Sequence, residues 1–74
     1  MKLKEARLLR GMTQEQVFIL VDTSLRNYQR IEYGEVIPHV DVALQICKVL
    51  NVDPFDIEEW QTNYQPYGSQ ESTE

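Results

Sequence analysis

Residues 13–34 read TQEQVFILVDTSLRNYQRIEYG. Four polar residues come first, residues 17–21 are all apolar, and Asp22-Thr23-Ser24 interrupt the run. A second polar-apolar segment then extends to Gly34. Thr13 and Gln16 have the spacing of a capping box, in which the threonine hydroxyl accepts from a backbone N–H and the glutamine reaches back. A helix is therefore expected from residue 14 to about residue 21. Asp22, Thr23 and Ser24 predict a turn. Ser24 is an N-cap residue for another helix over residues 25–32, and Gly34 supplies the left-handed backbone at its end.

Working outward, residues 2–10 lack Pro and Gly, and Gly11 stands where a helix stops. Val40, Ala43, Leu44, Cys47 and Leu50 recur at helical spacing, so residues 40–50 predict a fourth helix, with His39 at its start and Asn51 at its end. Asp53-Pro54 is a helix-start signal, and Phe55, Ile57 and Trp60 give the fifth predicted helix its apolar contacts. Residues 61–74, QTNYQPYGSQESTE, are polar, contain Pro and Gly, and predict a flexible tail after a domain over residues 1–60. No segment shows strand alternation. The expected class is all-α, five short helices, with a three-residue link between the second and third. That link suggests a helix-turn-helix, whose first helix lies across a DNA backbone and whose second enters the major groove.

Seventy-four residues make one small domain, and 42% apolar content is enough for one core. Cys47 has no second cysteine to pair with, which fits a reducing, cytoplasmic setting. The longest apolar run is too short to span a membrane, and no secretory signal is expected. The net charge of −5 is unevenly spread. Residues 1–30 carry six basic and three acidic side chains, and residues 31–74 carry one and nine. A polyanion would therefore approach the N-terminal half. No Ser-His-acid set, phosphate loop or metal-ligand spacing is present, so neither catalysis nor a cofactor is expected.

The strings LKEARLLRGMTQEQ (3–16) and RIEYGEVIPHVDVALQICKVLNVDPFDI (30–57) carry a resemblance. With Thr13-Gln14, Arg30-Ile31-Glu32, Gly34 and Pro38 at matching spacing, the sequence resembles the Cro/CI-type, or XRE-like, helix-turn-helix family. The resemblance implies a five-helix lambda-repressor-like domain that binds operator DNA, usually as a homodimer, in the manner of a repressor. It implies that Gln14 meets a phosphate or supports a base-reading side chain, and that Leu25, Arg26, Gln29 and Arg30 lie on or beside the outward face of the recognition helix. Arg26 suits guanine, Gln29 adenine and Leu25 a thymine methyl. Asn27 suits phosphate or capping, and backbone N–H groups at Gln14 and Ser24 suit phosphate. Arg7 and Glu32 match a structural ion pair, and Tyr28 and Ile31 match core positions.

The sequence departs from the family in four ways. Asp22 replaces a turn glycine, a position where left-handed backbone is expected. Phe18 replaces a small residue. Glu35 stands where relatives carry a base, and it would repel phosphate. Leu8, Leu9, Ile19 and Leu20 occupy positions that are often polar. These four leucines and isoleucines form either an enlarged local core around Phe18 or a surface for a protein partner. The rival to DNA recognition is thus a protein-interaction module, antitoxin- or antirepressor-like. Cys47 is read as a small core residue, His39 as a helix-start residue, and Asp53, Asp56, Glu58 and Glu59 as a solvated acidic helix face.

Overall fold

A computed structural model describes residues 1–61 of the chain. Four α-helices, α1 (Leu3–Leu9), α2 (Gln14–Phe18), α3 (Leu25–Glu32) and α4 (Val40–Leu50), precede two single turns of 3-10 helix at Pro54–Asp56 and Glu58–Trp60. No strand occurs among the described residues. The flexible-tail reading of residues 62–74 lies outside them. Gln61 lies within the described residues, its amide donating to the Phe55 carbonyl at 2.8 Å.

Local chemistry fixes most helix ends. Thr13 Oγ1 accepts from the Gln16 N–H at 3.1 Å, and Gln16 Oε1 accepts from the Thr13 N–H at 2.9 Å, closing the box that starts α2. Ser24 Oγ accepts from the Asn27 N–H at 3.0 Å and starts α3. Gly34, at φ +79°, ends α3, with Gly34 N–H bonded to the Ile31 carbonyl and Glu35 N–H to that of Arg30. Asn51 takes left-handed backbone, φ +58°, at the end of α4.

Three expectations are corrected. First, α2 stops at Phe18, not near residue 21. Leu20 N–H bonds the Val17 carbonyl and Val21 N–H that of Phe18, the tighter 3-10 spacing. Three β-branched residues and an aromatic in this run lower its α-helical preference. Second, Asp22 does not take left-handed backbone, since among non-glycine described residues only Asn51 has positive φ. The turn closes through a Thr23 N–H bond to the Val21 carbonyl, and the Asp22 N–H is held by Gln45 Oε1 of α4 at 2.6 Å.

Third, there is no fifth α-helix. Asp53 does cap, its Oδ1 accepting from the Phe55 N–H at 2.9 Å. Ile57 then turns extended (φ −90°, ψ 114°) and separates the two 3-10 turns. That break lets the fully buried Ile57 and Trp60 close the core and frees the Glu58 N–H to donate to the Met1 carbonyl at 2.8 Å. Tertiary burial thus overrides a sound local start signal. The acidic residues are not simply a solvated face either. Glu59 Oε1 accepts from the Leu3 N–H at 3.1 Å, which places a carboxylate at the positive end of α1.

The core joins Leu3 and Ala6 of α1, Val17 of α2, Tyr28 and Ile31 of α3, Ala43, Ile46, Cys47 and Leu50 of α4, and Ile57 and Trp60. Each large apolar side chain buried this way contributes about 1.5–3 kcal/mol. Burial and the nearby Asp53 and Asp56 charges push the Cys47 thiol up to about 11, so it packs as a neutral group.

Candidate nucleic-acid interface

Helix α3 has two unlike sides. Tyr28, Ile31 and Glu32 are buried, Leu25, Asn27 and Gln29 are half-buried, and Arg26 and Arg30 are exposed. Arg26 and Gln29 are three residues apart and so are neighbours on the helix surface. Arg30 is not a bare cation, because its Nε lies 3.5 Å from Glu35 Oε1. The Ser24 hydroxyl is occupied by its cap, and Asn27 Nδ2 donates to Thr23 Oγ1 at 2.8 Å. Both therefore stiffen the entry to α3.

Behind that surface lies a buried polar network. Arg7 Nε donates to Glu32 Oε2 at 2.7 Å and Arg7 Nη2 to Glu32 Oε1 at 3.2 Å. Arg7 Nη1 also donates to the Met12 carbonyl at 2.8 Å, which ties α1, the following loop and α3 together. Tyr28 Oη donates to Glu32 Oε2 at 3.2 Å, and Gln14 Nε2 to Glu32 Oε1 at 2.5 Å. Gln29 Nε2 in turn donates to Gln14 Oε1 at 3.2 Å. Burial alone would raise the Glu32 carboxyl, but the hydrogen bonds from Arg7, Gln14 and Tyr28, together with the Arg7 charge, outweigh it and hold the group below its ordinary value. Burial first, then the Glu32 charge, raises the Tyr28 phenol, so it remains a donor.

The structure thus brings Gln14, Gln29, Glu32 and Arg7 into one connected set, with Arg26 beside it. Sequence reasoning missed the Gln14–Glu32 link and the part played by Thr23. Partners 18 residues apart leave no periodic signal.

Leu8, Leu9, Ile19 and Leu20 are 56, 75, 68 and 59% exposed. They do not form a local core around Phe18, which corrects that alternative. Phe18 is half-buried and packs against the main core with Val17 and Val21. No helix among the described residues is long and apolar enough to cross a membrane.

Short capped helices, a six-residue connection between α2 and α3 and an outward polar face on α3 define a helix-turn-helix domain. A family model described as helix-turn-helix matches residues 3–57. The chain belongs to the Cro/CI-type helix-turn-helix family, a family of DNA-binding domains. No curated protein and no solved structure gives a match.

Proposed function

We propose that this protein is a sequence-specific, repressor-like transcription regulator that acts in the cytoplasm as a homodimer and sets α3 in the major groove of an operator. One observation carries this reading: Arg26 and Gln29 lie on the accessible side of α3, while Tyr28, Ile31 and Glu32 anchor its other side. Arg26 supplies a bidentate donor pair for guanine, and Gln29 a donor and an acceptor for adenine. Backbone N–H groups at the starts of α2 and α3 meet phosphates. Glu35 weakens the electrostatic share of binding, so few phosphate contacts and a shallow salt dependence are expected.

Anisotropy titration against duplexes from around its own gene tests the reading. Saturable, sequence-dependent binding is expected, and Arg26→Ala with Gln29→Ala removes the sequence preference without loss of helical circular dichroism. A wild-type chain that binds all duplexes equally sinks it.

The exposure of Leu8, Leu9, Ile19 and Leu20 favours a second reading, a domain that docks a protein partner through this apolar surface. Leu20→Glu breaking a purified complex, with no DNA binding at low salt, would establish that reading instead.

A further inference from the structure

We propose that Glu32 is a positioning residue that sets which way the Gln29 amide faces and thereby makes α3 select adenine over guanine. The inference rests on the DNA-reading function proposed above. An ionised carboxylate only accepts hydrogen bonds. Glu32 meets four donors, two from Arg7, one from Tyr28 and one from Gln14. The end of the Gln14 amide turned toward Glu32 is therefore its NH2, and its oxygen faces away. That oxygen takes an N–H from Gln29 at 3.2 Å.

Gln29 is left with one N–H and its carbonyl oxygen to present outward. This pair complements adenine, which offers a donor at N6 and an acceptor at N7. Guanine offers two acceptors, O6 and N7, and sets one of them against the Gln29 oxygen. The ion pair that anchors α3 thus also polarises a two-glutamine relay ending at the DNA surface.

The relay has a direction that one atom can reverse. In Glu32→Gln, the new amide keeps its oxygen on Arg7 Nε and Tyr28, where the arginine contact is the shorter (2.7 against 3.2 Å), and turns its NH2 to Gln14, so that Arg7 Nη2 gives up its acceptor. Gln14 then flips, its NH2 meets the Gln29 oxygen, and both Gln29 N–H groups face outward, which suits guanine.

The test is selection from a pool of randomised duplexes, with bound molecules sequenced and folding checked by circular dichroism. Wild type is expected to favour adenine over guanine about tenfold at one position of each half-site. Glu32→Gln is expected to erase or reverse that ratio, while a purely structural role would weaken all sequences alike. A folded Glu32→Gln that keeps the wild-type ratio overturns the proposal. If Glu32→Gln does not fold, Arg7→Met with Glu32→Gln removes both charges and strands neither. This pair is expected to lose the preference, and its persistence overturns the proposal equally.

Side-chain amide NMR without DNA separates the two possible failures. The Gln29 amide resonances are expected to shift in Gln14→Ala and in whichever Glu32 variant folds, although residues 29 and 32 share no hydrogen bond. Unshifted resonances overturn the relay. A wild-type chain that selects no sequence overturns the DNA reading and the adenine preference with it, and a Gln29 shift between wild type and those variants assigns the failure to the function and not to the relay.

Discussion

Helix α3 and the segment from Pro54 to Trp60 both close the core, by opposite means. At α3 the closure is partly ionic: a buried carboxylate holds an arginine, a tyrosine and a glutamine in set directions. At the other end it is apolar, with Ile57 and Trp60 fully buried. Apolar burial has no direction, so that segment meets its needs with two 3-10 turns and a break. Hydrogen bonds to a charge are directional, and their geometry is passed on to side chains at the surface. The difference suits the proposed recognition surface to the polar closure, the one whose geometry is specified to the level of single donors and acceptors.

The largest expected effects test whether the two closures are equally needed. Trp60→Ala should cost about 3–5 kcal/mol through the lost side chain and the cavity left behind. Arg7→Met should cost about as much, 3–5 kcal/mol, by leaving Glu32 buried without its cation. Urea unfolding measures both. The comparison sharpens if Arg7→Met/Glu32→Leu recovers much of the loss, because the ionic closure then serves orientation more than stability. It breaks if the double variant is as unstable as the single one.

Acid should weaken the ionic closure at α3. The folded-state value of Glu32 is lowered, so its contribution is complete above the ordinary carboxylate value of 4.5 and is lost as pH falls through the lower folded value. Thermal melts should show this acid limb in the wild type and a flatter one in Glu32→Gln. A smaller effect is expected from Ser24→Ala, about 1 kcal/mol, from loss of the α3 cap. The smallest belongs to Glu35→Gln, which breaks a half-exposed pair of about 0–1 kcal/mol. Its readout is tighter DNA binding at low salt as Arg30 is released, and an unchanged affinity would count against Arg30 lying at the DNA surface.

The same contrast governs what could be read from the sequence. Thr13, Gln16, Ser24, Gly34 and Asn51 act within a few residues of themselves, so their caps and stops were legible. The Arg7–Glu32 pair is 25 residues apart in the chain and was approached only through a family resemblance. The fifth helix failed because Asp53 and Pro54 signal a start locally, while the break at Ile57 depends on a core built from distant residues. The backbone at Asp22 escapes local reading for the same reason, since Gln45 of another helix holds its N–H. The Gln14–Gln29–Glu32 set depends on three separate positions, and nothing in their spacing marks it.

The Leu3–Glu59 hydrogen bond spans nearly the whole described chain. On the ribosome, the opening turn of α1 is made early but its carboxylate partner is among the last of these residues to emerge. Until then the core also lacks Ile57 and Trp60. The domain is thus assembled like a clasp: synthesis runs in order, but maturation waits for the far end to reach the near one.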